Sequence, residues 1–369
     1  MRISIFPAHD DSAASARIRA FSLQRSLSAL GHDARLEDAG PADVLFIQKR
    51  ATPETLALAR RAARAGTLVI YDVDDLGLPL WYSVAPTVLF RLLRVAHLVT
   101  TDTAGHRDLL LSDYGARAVE VVPDTIDYSP AGPARPDLPE GDLLRVLWFG
   151  HATNLPLFER YALRLAALQG VEVVVSTSAA AIAPLSARFP SIAFVPWTKD
   201  GFVALLQSCA LTVLPHDGGE NDRSKSNNRM IASITWGVPA VVSRTPEYER
   251  TAREAGVEQA LFDGPEELGE VVERLRSPAA RRAYLEAAQG EVWRRYSPEA
   301  VARRFLAVAV AGRDLPRAPA HREGVRELPE FVSWLRRTSP GTVSRAVVRE
   351  AMHWAARWAG RGPLVRKAG

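Results

Sequence analysis

The seven residues from Arg223 to Arg229, RSKSNNR, concentrate hydrogen-bond donors directly before an apolar stretch. That stretch, IASITWGVPAVVS, is typical of a helix followed by a strand, so the helix should begin near Ser226 or Asn227. Lys225 would then lie just before the helix and Arg229 about one turn inside it. Unpaired N–H groups, the positive end of the helix dipole and both cations would converge, which favours a diphosphate. The alternative is a capped helix whose charges are incidental.

Three carboxylates, Asp72, Asp74 and Asp75, follow the apolar run TLVIY. Carboxylates at a strand end are costly to bury unless they meet a cation, hydroxyls or positive dipoles. They could clamp a metal on a nucleotide diphosphate, accept hydrogen bonds from sugar hydroxyls, or supply a general base. At least one of them could instead cap the turn that follows.

Short runs of Val, Ile and Leu alternate with helical spacing along the whole body of the chain. The predicted strands are 2–6, 43–48, 67–73, 97–102 and 119–123 in the first half and 144–150, 171–178, 192–197, 211–216 and 238–243 in the second. The predicted helices are 15–30, 53–65 and 104–113, then about 156–168, 202–208, 227–236, 264–276, 279–294 and 298–310. This alternation predicts parallel sheets with helices on both faces.

A proline-rich segment, DYSPAGPARPDLPEGD, interrupts the alternation and reads as a linker. The economical interpretation is α/β: two doubly wound Rossmann-like domains, 1–128 and 144–312, joined by 129–143. The last helix of the second domain could cross back to the first. Residues 313–369 would form a helical tail.

In doubly wound sheets, ligands bind beyond the carboxyl ends of the strands, so the residues after each strand are candidates. After the first strand, the turn DDSAASA leads to Arg17 and Arg19, which could hold an anion or a sugar hydroxyl or be merely solvated. Gly150 would allow a ligand to approach the backbone closely. His151 could donate to a phosphate, and Trp197 could stack on a base or cover the core.

Composition sets limits on the class of protein. The chain has 369 residues, 47% hydrophobic and 24% charged, with one cysteine, Cys209, so a disulfide within the chain is excluded. The net charge is +4, but 313–369 carries +7 and the rest of the chain −3, so the basic pI does not indicate that the body binds nucleic acid. Charges directly after the first apolar run argue against a signal peptide, and no long apolar run predicts a spanning helix. We expect a cytoplasmic protein, soluble or peripheral on the membrane.

The tail 313–369 places Trp334, Trp354 and Trp358 among arginines at helical spacing. Basic amphipathic helices with tryptophan commonly lie on anionic membrane surfaces. Packing of these helices on the body or on another subunit is the alternative.

Several segments together resemble a known family. They are VVPDTID before the linker, LWFGHATN at the start of the second half, and KSNNRMIASITWGVPAVVS followed by PEY. In this order they are similar to GT-B glycosyltransferases, within them the retaining group called family 4, over roughly residues 1 to 311. IYDVDD is similar to a segment of bacterial members that build surface polysaccharides.

The resemblance implies two domains facing a central cleft, with no metal and no other cofactor. A nucleotide-diphosphate sugar would be held mainly by the second domain, and a glycan, lipid-linked or small-molecule acceptor mainly by the first. The implied donor-binding residues are Gly150, His151, Asn154, Trp197, His216, Lys225, Ser226, Asn228 and Arg229. The implied acceptor-binding residues are Ser15, Arg17, Arg19 and Asp124. The residues implied in catalysis are Lys225, Arg229, Asp72, Asp74 and Asp75.

Two positions depart from the family pattern. Family 4 members usually have a glutamate that binds the donor ribose five residues before the glycine of GVP, where this chain has Ala232. The glycine-rich loop after the first strand is replaced by DDSAASA. Two other functions therefore remain open: a metal-dependent GT-A transferase using Asp72 and Asp74, and a non-catalytic sugar- or nucleotide-binding protein of a polysaccharide assembly complex.

Overall fold

The structure, a computed structural model, describes most of the chain. The described residues are 1–74, 86–128, 130–134, 143–216 and 220–315. Asp75 and the tail tryptophans Trp334, Trp354 and Trp358 lie outside them. The described residues divide into two compact units: the first comprises those in Met1–Pro123 together with those from Val301 on, and the second comprises those in Asp124–Ala300.

The first unit is built on a six-stranded parallel sheet. Its strands are β1 (Arg2–Phe6), β2 (Asp33–Leu36), β3 (Val44–Gln48), β4 (Leu68–Asp72), β5 (Leu98–Thr101) and β6 (Val119–Val121). Their order is β2-β1-β3-β4-β5-β6, so the direction of winding reverses between β1 and β3. That reversal is the topological switch point, where doubly wound sheets bind ligands.

Helices cover both faces of this sheet. They are α1 (Ala14–Ala16), a π-helical turn (Arg17–Phe21), α2 (Ser22–Ala29), α3 (Pro53–Arg64), α4 (Pro86–Val95) and α5 (Ala104–Ser112). Strand residues alternate between two buried clusters: Leu45 faces the cluster that includes α3 and α4, whereas Phe46 faces the one that includes α2. Both faces are apolar, which explains the continuous runs of Val, Ile and Leu in the sequence.

The second unit has its own six-stranded parallel sheet. Its strands are β7 (Leu144–Phe149), β8 (Val171–Thr177), β9 (Ala193–Pro196), β10 (Leu211–Leu214), β11 (Ala240–Ser243) and β12 (Leu261–Phe262). The order β12-β11-β10-β7-β8-β9 places the switch point between β7 and β10. This is the strand order of dinucleotide-binding folds.

The second unit has helices on both faces as well. They are α6 (Leu155–Ala166), α7 (Ala179–Arg188), α8 (Phe202–Gln207), α9 (Asn228–Thr235), α10 (Pro246–Glu254), α11 (Pro265–Arg274) and α12 (Pro278–Tyr296). The last helix, α13 (Pro298–Gly312), belongs to the first unit from Val301 on. There Phe305 packs edge-on against Phe46, with ring centroids 5.3 Å apart.

Two doubly wound α/β units confirm the predicted fold class. The described residues also contain two short edge strands, β2 and β12, and three helices, α4, α7 and α10, which the sequence pattern did not predict. None of the helices in the described part of the chain is both long enough and apolar enough to cross a membrane.

Candidate functional site

Arg229 joins the ends of the two strands that flank the switch point of the second unit. It is the second residue of α9, and its Nη1 donates to the carbonyl oxygen of Phe149, the last residue of β7, at 3.2 Å. Its Nη2 lies 3.0 Å from Nε2 of His216, two residues after β10. The guanidinium is therefore held at the edge of the sheet where ligands of this fold class bind.

Gly150 makes room for that guanidinium. A Cβ atom at residue 150 would lie 3.2 Å from the ring of Trp148 and 3.4 Å from Nη1 of Arg229. Trp148 is fully buried and stacked on Phe158, with ring centroids 5.0 Å apart, so it has little freedom to withdraw. Close approach explains why glycine follows β7.

In the described part of the chain, no side chain caps the amino terminus of α9. Asn227 is the N-cap residue, but its Nδ2 turns away and donates to Oγ1 of Thr251 at 2.8 Å. Because the first N–H groups of a helix have no partner inside it, they remain available here for a ligand. Lys225 and Ser226, partly exposed, immediately precede this helix start, and Asn228, also partly exposed, is its first residue.

His216 is buried between the carboxylate of Asp222 and the guanidinium of Arg229. Its Nδ1 lies 2.8 Å from Oδ1 of Asp222, in the 3-10 turn Glu220–Ser224, while Nε2 faces Arg229. Burial lowers the pKa of His216; the hydrogen bond with Asp222 opposes that shift and the charge of Arg229 adds to it. Sequence reasoning did not single out Asp222, although its position in the polar loop before α9 is the signal that could have done so.

Tyr248 closes the buried side of this cluster. Its ring lies 5.5 Å from that of His216, and its hydroxyl is buried beside Arg229 without being aligned with a hydrogen-bond partner in the described residues. Burial raises the pKa of Tyr248 and the charge of Arg229 opposes the shift, so the hydroxyl stays neutral.

Trp197 follows β9 and forms an aromatic pair with Tyr128. Its Nε1 donates to the Tyr128 hydroxyl at 3.3 Å, and Tyr128 stacks on Phe202 with ring centroids 4.9 Å apart. Tyr128 has a φ of +65°, a backbone conformation that residues other than glycine rarely adopt and that is often found at functional sites. The indole is partly exposed, which leaves ring surface for stacking.

His151 and Asn154 lie in the loop between β7 and α6. Both are exposed, and Asn154 ends the 3-10 turn Ala152–Asn154. They share the carboxyl edge of β7 with Gly150, but neither touches Arg229 or His216 in the described contacts.

In the first unit, Asp72 and Arg19 are paired with each other. Oδ2 and Oδ1 of Asp72 accept from Nε and Nη2 of Arg19 at 2.8 and 2.6 Å, and Oδ1 also accepts from Thr100 at 2.7 Å. Arg19 also donates to the carbonyl of Val122 at 3.1 Å. Asp72 is 0% exposed. The sequence predicted that Asp72 and Arg19 contact substrate. In the structure they bind each other inside the unit and hold the π-helical turn against the sheet.

Asp74 is paired with a lysine that the sequence did not single out. Nζ of Lys49 lies 2.5 Å from Oδ1 of Asp74, and both side chains are largely buried. Lys49 follows β3 with φ +55°, and Gln48, the last residue of β3, accepts a hydrogen bond from the Ala8 N–H at 3.0 Å. Ala8 follows β1 and Lys49 follows β3, so they lie at the switch point of the first unit, and Asp74 follows the neighbouring strand β4.

Arg17, Ser15 and Asp124 were also predicted to bind the acceptor substrate. Arg17 is buried and donates to the carbonyls of Asp11 and Ser12 at 3.2 and 3.1 Å. It holds the loop after β1 in place and is not merely solvated. Ser15 is partly exposed on α1, and Asp124 is buried and belongs to the second unit. Within the described ranges, no three His, Cys, Asp or Glu side chains are grouped so that they could hold a metal ion.

Known structures share this architecture. A glycosyltransferase from Rickettsia africae matches 85% of this chain and 100% of its own, with a TM-score of 0.60 and 12% identity. Anabaena Alr3699/HepE, solved in complex with UDP-glucose, matches 84% of this chain and 100% of its own, with a TM-score of 0.58 and 12% identity.

TarM of S. aureus, solved with fondaparinux, alpha-GlcNAc-glycerol and UDP, matches 78% of this chain, with a TM-score of 0.51 and 11% identity. This chain spans only 57% and 58% of the length of two TarM structures. No protein-family model matches the chain, and no curated protein matches it. At these identities the likeness concerns the fold: the chain has the GT-B-like architecture of two α/β domains found in these glycosyltransferases.

Proposed function

We propose that this protein is a glycosyltransferase that takes a sugar from a nucleoside-diphosphate sugar bound at the switch point of the second unit. The observation that carries the proposal is the position of Arg229, a cation held at the ends of β7 and β10 by Phe149 and His216. Structural neighbours that bind UDP-glucose or UDP support the choice of donor class.

The diphosphate would lie against the uncapped start of α9. Lys225 comes three residues before Asn228, the first helical residue, and Arg229 directly follows Asn228, so two cations and the first N–H groups of the helix lie in one short stretch of chain. A helix start of this kind attracts anions through its dipole and its N–H groups. Gly150 would let the phosphates approach the backbone at the end of β7.

This arrangement suits the chemistry of sugar transfer. When the bond from the anomeric carbon to the diphosphate breaks, negative charge grows on the departing phosphate oxygens. Preorganised cations and N–H donors stabilise that charge more than they stabilise the bound donor, and this difference accelerates the reaction. Lys225 and Arg229 are therefore the residues whose loss should most reduce turnover.

The nucleoside would extend toward Trp197, whose partly exposed ring could stack on the base. Ala232 is buried in α9 and offers no carboxylate to the ribose. We infer that this chain holds the ribose through other groups or holds it less tightly. Retention at the anomeric carbon, independence of metal, and membership of family 4 are parts of the same proposal.

The acceptor is proposed to be a glycan, a lipid-linked glycan or a small hydroxyl compound held mainly by the first unit. Asp72 and Arg19 are engaged with each other, so the candidates shift to the carboxyl ends of β1, β3 and β4, with Lys49 after β3 and Asp74 after β4. His9 follows β1 and lies near Lys49; partial burial of its ring and then the charge of Lys49 lower its pKa.

Isothermal titration with UDP, ADP and GDP, followed by assay of UDP-sugar turnover, tests the proposal. One nucleoside diphosphate should bind, and Arg229→Ala or Lys225→Ala should each reduce turnover by about 100-fold or more, as expected for one electrostatic donor to a developing charge. Arg145→Ala, which removes a cation at the amino ends of β7 and β8, is the matched control and should leave turnover unchanged.

Binding without turnover in the wild type would favour the non-catalytic nucleotide-sugar-binding alternative. Loss of turnover in EDTA, restored by a divalent cation, would favour the metal-dependent alternative. That alternative needs Asp72 and Asp74, both of which are paired with cations in this structure.

A further inference from the structure

The neutral imidazole of His216 carries one ring hydrogen, and the partners of its two nitrogens determine which nitrogen carries it. Arginine is always a donor and never an acceptor, so Nε2 of His216, 3.0 Å from Nη2 of Arg229, must accept. The hydrogen of the neutral ring therefore resides on Nδ1, which donates to Oδ1 of Asp222 at 2.8 Å. The hydrogen bond to Asp222 holds the ring hydrogen on Nδ1, and Nε2 is therefore the acceptor that faces Arg229.

We propose that Asp222 and His216 are positioning residues that orient the Arg229 guanidinium toward a nucleoside diphosphate. The inference rests on the proposed function and deepens it. Asp222 acts through His216 and does not itself bind the ligand. If the imidazole carried its hydrogen on Nε2, that nitrogen could not accept from Arg229.

A comparison with the buried pair of the first unit shows what the inserted imidazole achieves. Arg19 donates directly to both carboxylate oxygens of Asp72, and a carboxylate in direct contact neutralises a guanidinium and occupies its donor fork. In the second unit a neutral ring separates Asp222 from Arg229. The guanidinium is thus oriented while its charge and several of its N–H groups stay available for an anion.

The ring of His216 is well placed to act as a rigid spacer. Its backbone N–H donates to Oγ of Ser243 at 2.7 Å, and its carbonyl accepts from the Tyr161 hydroxyl at 3.5 Å. The charged groups around the ring are Asp222, Lys225 and Arg229, and the ring of Tyr248 packs beside it. Both cations disfavour protonation of the imidazole, which keeps Nε2 an acceptor.

A double-mutant cycle tests whether Asp222 acts through Arg229. The affinity for UDP is measured by titration calorimetry for the wild type, Asp222→Ala, Arg229→Ala and the double variant. Asp222→Ala should weaken UDP binding about tenfold in the wild-type background and less than about twofold in the Arg229→Ala background, because coupled residues deviate from additivity. Equal losses in both backgrounds, or no loss in the wild-type background, would overturn the inference.

Substitutions at His216 provide a second test. The difference in UDP affinity between two variants is not expected if His216 has only a structural role. His216→Gln retains an oxygen that can accept from Arg229, whereas His216→Phe fills the volume without an acceptor. The glutamine variant should bind UDP within about threefold of the wild type, and the phenylalanine variant about tenfold more weakly, the loss expected for one hydrogen bond to a charged group. Equal affinities of the two variants would contradict the proposed role.

The controls separate local from global effects. Glu172→Ala removes the carboxylate partner of Arg145 at the opposite edge of the same sheet and should not change UDP affinity. If Asp222→Ala does not fold, Asp222→Asn replaces it in the cycle, since the amide oxygen can still accept from Nδ1 but no longer fixes the tautomer.

Inorganic pyrophosphate serves as a probe without a base. A wild type that binds none of UDP, ADP, GDP and pyrophosphate would overturn the proposed function and this inference together. Binding of UDP with additive losses in the cycle would overturn this inference alone.

Discussion

The guanidinium of Arg19 donates to both carboxylate oxygens of Asp72, at 2.8 and 2.6 Å, and the two side chains are 3% and 0% exposed. The residues are 53 positions apart in the chain. Their pairing ties the π-helical turn after β1 to the end of β4. A sequence pattern that indicated substrate-binding carboxylates therefore includes one group that stabilises the fold.

This pair leads to a stability prediction. Arg19→Ala or Asp72→Ala should each lower the free energy of unfolding by about 3 to 5 kcal/mol, because an unpaired buried charge remains. The double variant Arg19→Met/Asp72→Leu should lose less than either single variant. Urea denaturation measures all three. Asp108→Ala, which breaks an exposed pair with Arg107, should cost less than about 1 kcal/mol, and similar losses at both sites would contradict the burial described here.

Gly150 gives a prediction about ligand affinity. In Gly150→Ala the new methyl would crowd Trp148 and Arg229, and since Trp148 is buried, Arg229 should give way. We expect UDP binding to weaken about tenfold and stability to fall by about 1 to 3 kcal/mol, typical of overpacking. The measurements are calorimetry and thermal unfolding.

Gly290 is the matched control, because a Cβ atom there has no heavy atom within 4 Å inside α12. Gly290→Ala should raise the free energy of unfolding by about 0.5 to 1 kcal/mol through helix propensity. It should leave UDP affinity unchanged. An equal loss of affinity in both variants would exclude the steric explanation at residue 150.

His216 predicts how stability depends on pH. Its pKa in the folded protein is below the ordinary value of 6.5, first because it is buried. The unfolded state then binds more protons than the folded state as the pH falls through 6.5, so the contribution of His216 is complete above that pH and is lost below it. Urea unfolding of the wild type and His216→Gln between pH 8 and pH 5 measures the effect, using a pH range that spans the ordinary pKa of histidine, about 6.5. The wild type should lose more stability on the acid side, and parallel curves would contradict the shift.

Trp197 predicts a difference between two ligands. If its ring stacks on the base, Trp197→Ala should weaken UDP binding by about 5- to 100-fold, the range for base stacking on an aromatic side chain. The same variant should bind inorganic pyrophosphate as tightly as the wild type. Calorimetry with both ligands measures this, and a comparable loss for pyrophosphate would assign Trp197 to the core instead.

The tail beyond the described residues gives a prediction about membranes. Replacing Trp334, Trp354 and Trp358 together with alanine in the full chain should reduce co-sedimentation with anionic phospholipid vesicles, because tryptophans anchor basic helices at the interface. The wild type should bind neutral vesicles weakly. No binding of the wild type to anionic vesicles would favour packing of the tail on protein.

The local hydrophobic pattern of the sequence located the central strands of both sheets. Every one of the ten predicted strands corresponds to a strand in the structure, with ends that differ by at most two residues. Buried parallel strands require Val, Ile and Leu on both faces, and that requirement is visible in a short window. The missed elements are the short edge strands β2 and β12 and the helices α4, α7 and α10; β2 is the half-polar strand DARL, and α10 buries Glu247 and Thr251 beside Tyr248 and Ala252.

By itself the sequence determined the alternation of strands and helices, the two α/β domains, and a donor-rich helix start at Lys225 to Arg229, because these depend on residues close together in the chain. Tertiary structure decided which groups meet. Arg229 reaches Phe149 and His216 only because β10 pairs with β7, and Asp72 is closed off only because Arg19 packs over it. Such pairings join distant residues through the order of the strands and the burial of charge, and no short-range pattern specifies either.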